Sequence, residues 1–217
     1  MAKYKMILFD LDGTISDPKE GITKSVQYAL QKLGINEPNL DKLEPFIGPP
    51  LQQSFAEQYG FAEEKTQQAI DFYRERFKQK GMYENELYPA IPQLLKSLQE
   101  QHLTLIVATS KPTIFAEQIV KYFNIDQCFA LIVGSNLDGT RTSKTEIIKY
   151  IIDKYKEHPL EDFIMIGDRK HDIIGAKNCG IDSIGVTYGY GSPEELSEEY
   201  PTYIVQSIDD LIKILTN

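Results

Sequence analysis

The stretch Tyr4-Lys5-Met6-Ile7-Leu8-Phe9-Asp10-Leu11-Asp12-Gly13-Thr14 decides how the rest of the chain is read. Its first six residues are mostly apolar and of strand length, and a glycine-containing break follows, as at the end of a buried strand. Asp10 and Asp12 stand at the C-terminal mouth of that strand, where open α/β sheets collect their ligands. Burying one unpaired carboxylate is costly, and burying two is worse. A cation is therefore expected between them, and a divalent metal bound through oxygen is the obvious candidate. The local alternative makes Asp12-Gly13 a turn and Asp10 a strand-end cap.

Outward from this stretch, further strand-like runs fall at residues 103–109, 129–134, 163–167, 183–187 and 203–205. Apolar stripes at helical spacing separate them: Ile91, Leu94, Leu95 and Leu98; then Ile147, Ile148, Ile151, Ile152 and Tyr155; then Ile208, Leu211, Ile212 and Leu215. Strands alternating with helices predict an α/β fold, a doubly wound parallel sheet with helices on both faces. Residues 17–84 break the alternation. After Asp17-Pro18 comes a helix with Ile22, Val26, Ala29, Leu30 and Leu33 on one face, closed by Gly34. A Pro/Gly corner at Phe46-Ile47-Gly48-Pro49-Pro50 follows, then a long helical stretch carrying Ile70, Tyr73 and Phe77. The reading is a Rossmann-like core over 1–16 and 85–217, with a helical insertion over 17–84 resting on the sheet's ligand-binding edge.

Three later segments carry chemistry. Val107-Ala108-Thr109-Ser110-Lys111-Pro112 ends the second core strand. Hydroxyls of Thr109 and Ser110 suit phosphate oxygens near a helix N-terminus, or else they cap the helix opened by Pro112. In Thr142-Ser143-Lys144-Thr145-Glu146, Ser143 and Glu146 match a capping box, so a helix should start near Lys144. A lysine in a first turn opposes the helix dipole at a cost of about 0.3–1 kcal/mol, which is the kind of local conflict a functional residue shows. It is otherwise a solvated surface lysine. Met165-Ile166-Gly167-Asp168-Arg169-Lys170-His171-Asp172 ends the fourth core strand. Asp168 and Asp172 can both face the sheet's edge, or else cap the next helix and complement its dipole. His171 is expected to point to solvent, and Arg169 and Lys170 are either solvated or an anion-attracting rim. Gly175-Ala176 is expected to let the helix pack close to the sheet.

The order Asp-Asp, Thr, Lys, Asp-Asp over four successive strand ends resembles the haloacid-dehalogenase-like superfamily of phosphohydrolases over nearly the whole chain. Asp10-Leu11-Asp12-Gly13-Thr14 fits its D-x-D-G-T signature, Asp168 and Asp172 its G-D-x-x-x-D motif, and Thr109 and Lys144 its looser middle motifs. The chain is similar to the phosphoglycolate-phosphatase-like group. Residues 167–176, with Tyr188-Gly189-Tyr190-Gly191 downstream, are similar to the group's 5′-nucleotidase-like branch. The resemblance implies a Mg²⁺-dependent phosphatase of a small phosphorylated metabolite. Asp10 would be the nucleophile that forms an aspartyl-phosphate. Asp12 would be the general acid and then base. Thr109, Ser110 and Lys144 would hold the phosphate. Asp10, the backbone carbonyl of Asp12, Asp168 and Asp172 would form the metal site, with Asp172 as a direct ligand or one shell removed. The insertion would be a cap, hinged near Asp17 and Glu84, whose Gly48 corner and first helix near Gly21 and Lys24 select the leaving group. A phosphomutase of the same superfamily shares these motifs, and a pyrophosphatase is the other alternative. A response-regulator receiver, which is shorter and lacks the insertion, fits poorly, and a non-catalytic relative would lack a motif residue.

Composition bounds the partners. A formal charge of −9 argues against a general nucleic-acid binder. No apolar run approaches the ~18 residues of a membrane span, and no signal-peptide pattern opens the chain. Cys128 and Cys179 have no metal spacing and suit a reducing cytoplasm. No dimer face is evident, so a monomer is favoured.

Overall fold

A computed structural model of the chain describes residues 3–216. It divides into two compact units: one runs up to Ser16 and resumes at Leu87, and the other is Asp17–Glu86.

In the first unit, β1 (Met6–Phe9) is buried at every position. Two two-residue strands, β2 (Ser16–Asp17) and β3 (Glu86–Leu87), pair with each other where the chain leaves and re-enters this unit. In the second unit, α1 (Lys19–Lys32) buries Ile22, Val26, Ala29 and Leu30. A 3₁₀ turn over Leu40–Phe46 follows, then α2 (Leu51–Tyr59), α3 (Glu63–Arg76) and a π turn over Phe77–Gly81. The single long helical stretch expected here is thus two helices, because Gly60 takes a left-handed φ of 63° and ends α2. Phe46 meets Phe55 edge-to-face and Phe55 stacks on Phe61 across the break, with ring centroids 4.8 and 5.9 Å apart. Gly21 packs within this unit, where a Cβ would lie 1.9 Å from the Gly81 carbonyl oxygen. Lys24 is not a free cation either, being paired with Glu20 and lying 4.0 Å from Glu84.

The first unit continues with α4 (Ile91–Glu100), β4 (Thr104–Pro112), α5 (Thr113–Tyr122), β5 (Leu131–Ser135), α6 (Lys144–Lys154), β6 (Phe163–Gly167), α7 (Lys170–Cys179), β7 (Asp182–Val186), α8 (Pro193–Ser197), β8 (Tyr203–Val205) and α9 (Ile208–Thr216). The six long strands form one parallel sheet in the order β5-β4-β1-β6-β7-β8. Numbered within the core, that is the 3-2-1-4-5-6 order of a doubly wound sheet. Both faces are covered, so the strands read as continuous apolar runs. Met6, Leu8, Ile106, Ala108, Val133, Phe163 and Met165 form one face, packed by Ile147, Ile148, Ile151 and Ala176 of α6 and α7. The winding reverses between β1 and β6, and the crevice at such a switch point is where ligands bind. Asp10 follows β1 and Asp168 follows β6.

β4 runs past the expected residue 109 to Pro112. Thr109 and Ser110 therefore lie within the strand and do not cap α5, which starts at Thr113 without a side-chain cap. Among the described residues, no helix is long and apolar enough to cross a membrane.

Candidate active site

The site is built on strand ends and helix starts around the switch point. Ser143 Oγ accepts from Glu146 N at 3.3 Å, and Glu146 Oε2 accepts from Ser143 N at 3.1 Å. This capping box starts α6 at Lys144. Gly175 of α7 lies so close that a Cβ there would be 2.7 Å from the Lys144 Cβ. The glycine expected to approach the sheet thus makes room for α6 instead. Lys144 is buried, not solvated, and its ammonium points inward to Asp10 Oδ1 at 2.6 Å, Asp172 Oδ1 at 2.7 Å and the Ala108 carbonyl at 2.7 Å. Three N–H donors thus face three acceptors. Burial works against the charge of Lys144, but the Asp10 and Asp172 carboxylates prevail and raise its pKa.

Asp10, Asp168 and Asp172 each offer an oxygen within 4.8 Å of the others', and all three are buried. Asp168 does not cap α7; Arg169 holds that position. Its Oδ2 accepts from Tyr190 N at 2.7 Å. Gly13 and Gly189 close upon it from two sides. Gly13 has φ of 82°, and a Cβ there would lie 2.1 Å from Asp168 Oδ2, while one on Gly189 would lie 2.4 Å from Asp168 Cβ. Tyr188 OH donates to the Thr14 carbonyl at 3.0 Å and ties the two loops together. Asp172 Oδ2 accepts from Arg169 N at 3.1 Å.

Asp12 is separate from that triad. Its Oδ2 pairs with Lys111 Nζ at 2.8 Å with both side chains buried, and its Oδ1 is buried without a hydrogen-bond partner among the described residues. The Asp12 carboxylate therefore does not join the three-carboxylate cluster proposed to hold the metal. Lys111 is the residue that the sequence reading passed over. The available signal was its i+2 spacing from Thr109 on a strand, which in regular geometry puts both on one face. Thr109 is buried and Ser110 half-buried. His171 is half-buried rather than turned to solvent, and burial, with Arg169 and Lys170 nearby, lowers its pKa. Arg169 is no open rim: its Nε donates to Glu195 Oε1 at 2.9 Å.

The electrostatics fit a cation. Burial first, and then the charges of Asp10 and Asp172, push the Asp168 pKa well up. Burial raises Asp172 to about 6 despite Lys144. Burial also raises Asp12, with Lys111 pulling in the other direction. Among the described residues, Asp10, Asp12, Asp168 and Asp172 have the ammoniums of Lys111 and Lys144 as their ion-pair partners. When ionised, the four acids exceed those two cations by two charges, the charge of one hard divalent ion with oxygen ligands.

Known proteins are similar to this chain in sequence and fold. A family model described as haloacid dehalogenase-like hydrolase matches residues 7–186. The chain is 50% identical over 213 residues to a 5′-nucleotidase of Pseudomonas aeruginosa, covering 98% of this chain and 96% of that one. It is 34% identical to tyrosine-protein kinase PtkA of Mycobacterium tuberculosis, covering 97% of this chain and 72% of that one. A crystal structure from Clostridium acetobutylicum, described as a predicted phosphatase, superposes with a TM-score of 0.94 at 50% identity over 97% of each chain.

Proposed function

The chain belongs to the haloacid dehalogenase-like hydrolase family and is a phosphoric monoester hydrolase, and from that premise we propose a Mg²⁺-dependent phosphatase that acts on nucleoside 5′-monophosphates through an aspartyl-phosphate. The observation that carries the mechanism is the buried triad of Asp10, Asp168 and Asp172 beside Lys144. Similarity to a 5′-nucleotidase supports the substrate class over 2-phosphoglycolate, pyrophosphate or a sugar phosphate. Mg²⁺ held by the triad would neutralise charge and let an anionic phosphate approach the acids.

In the proposed reaction, Asp10 attacks phosphorus in line, and the bond to the leaving oxygen breaks as its own forms. Asp12 gives that oxygen a proton, then takes one from the water that cleaves the intermediate, and free phosphate leaves. Thr109, with Ser110, is proposed to donate to phosphate oxygens. Lys144 is proposed to pair with the Asp10 carboxylate and aim it. Contact between its ammonium and a phosphate oxygen requires it to give up one of its three present acceptors. The Asp17–Glu86 unit is proposed as a cap that selects the leaving group and excludes water. Both cysteines are free, which supports a cytoplasmic place.

A phosphate-release panel with Mg²⁺ tests the reading. Nucleoside 5′-monophosphates should give the highest kcat/KM, and exhaustive chelation should stop release. If phosphate moves only to another acceptor and none accumulates, the chain is a phosphotransferase or mutase and the reading fails.

A pH dependence of metal binding follows from the raised carboxyls. Asp168 and Asp172 have folded-state pKa values above the unfolded one, so the metal-free fold holds extra protons between the two. Its stability from these groups is present at low pH and falls as pH rises above the ordinary carboxylate range, through about 6 in the case of Asp172. Bound metal must displace those protons. The rise in Tm on adding Mg²⁺ should therefore be larger at pH of about 8 than at about 5. An equal or smaller rise at the higher pH would dissociate these two acids from the metal.

A further inference from the structure

The pairing of β4 with β5 loses register between Ala108 and Pro112, so Thr109, Ser110 and Lys111 bulge from the ladder beside the site. Bulges re-aim side chains and are enriched near active sites. Gly134 on β5 makes this one possible, since a Cβ there would lie 2.0 Å from the Lys111 carbonyl oxygen and 2.8 Å from Thr113 N. The bulge is pinned around that glycine. Gly134 N donates to Thr113 Oγ1 at 2.9 Å, and Arg141 Nε donates to Gly134 O at 2.9 Å. Lys111 N donates to Thr109 Oγ1 at 3.3 Å, which couples the lysine to the proposed phosphate-binding threonine. The outcome is a buried ammonium 2.8 Å from Asp12 Oδ2. A carboxylate can turn about its Cβ–Cγ bond. This one has Oδ2 held, while Oδ1 is buried and has no hydrogen-bond partner among the described residues.

We propose that Lys111 is a positioning residue for proton transfer: the bulge seated on Gly134 aims its ammonium at Asp12 Oδ2 and leaves Oδ1 to serve the reaction. The inference rests on the assignment of Asp12 as acid and base made above. In the first step, the proton on Oδ1 passes to the leaving oxygen as its bond to phosphorus breaks and the Asp10 bond forms. In the second, Oδ1 takes a proton from water as the water oxygen bonds phosphorus and the Asp10 bond breaks. Lys111 takes no part in the proton transfer itself and need not touch the substrate.

The test compares kcat/KM for p-nitrophenyl phosphate, whose leaving anion needs no proton, with that for a nucleoside 5′-monophosphate, whose alkoxide does. Lys111→Met should lose roughly 10²-fold on the nucleotide, with KM little changed, and little on the aryl ester. Gly134→Ala should show the same bias from the neighbouring strand, and it carries the test if Lys111→Met does not fold. Equal losses on both substrates, or a rise in KM alone, would mean that Lys111 packs the site or binds phosphate, and the proposal is overturned. Asp12→Asn separates the two possible failures. If it shows no leaving-group bias, the role of Asp12 is wrong. If it shows the bias and neither Lys111→Met nor Gly134→Ala does, the positioning role is wrong.

Discussion

Asp10→Asn is expected to abolish phosphate release, lowering kcat by roughly 10⁴-fold or more, the scale on which loss of a covalent nucleophile is felt. Asparagine keeps the shape of the side chain but has no ionised oxygen to attack phosphorus. The fold should survive, because β1 is held by its apolar residues and its pairing with β4 and β6. Lys144 also retains Asp172 as an ionic partner. The measurement is phosphate release by purified variant, with deamidation back to Asp excluded by mass. Residual turnover of more than a few per cent would move the nucleophile elsewhere in the site.

Lys144→Met should be the most destabilising single change in the site. It leaves Asp10 and Asp172 buried with no cation on Oδ1 of either. Removing one partner of a buried pair typically costs about 3–5 kcal/mol. Denaturant unfolding of the metal-free protein at neutral pH should show a loss of that order, together with a large fall in kcat/KM. The loss should shrink toward pH of about 5. Burial already raises Asp172 to about 6 with the lysine beside it, and without the lysine Asp172 would take up a proton more readily. A loss under about 1 kcal/mol, of the size seen for exposed pairs, or one independent of pH, would mean that Lys144 is not the counter-ion of the acids.

Much of the molecule was legible because its signals are local. Parallel strands covered on both faces are unbroken apolar runs, so the expected bounds 163–167 coincide with the observed strand. The capping box at Ser143 and Glu146 fixed the start of α6 through contacts three residues apart. Local patterns misled where a residue's partner is distant in sequence. Thr109 and Ser110 stand before a proline and a helix, yet pairing with β5 carries the strand through Pro112. Lys144 looks like a surface lysine in a first turn, and only Gly175 of another helix shows that it is enclosed.

By itself the sequence determined the α/β architecture and put Asp10, Asp12, Thr109, Lys144, Asp168 and Asp172 at strand ends and a helix start, without singling out Lys111. Strand periodicity, glycine breaks and helix caps are each written within a few residues. Only the tertiary structure decided which charges meet. It joined Asp10, Asp168 and Asp172 into one cluster, gave Lys144 to two of them, and set Asp12 apart with Lys111. Ion pairing falls off with distance in space and is blind to separation along the chain. The charge pattern at the switch point therefore exists only once the strands are laid side by side.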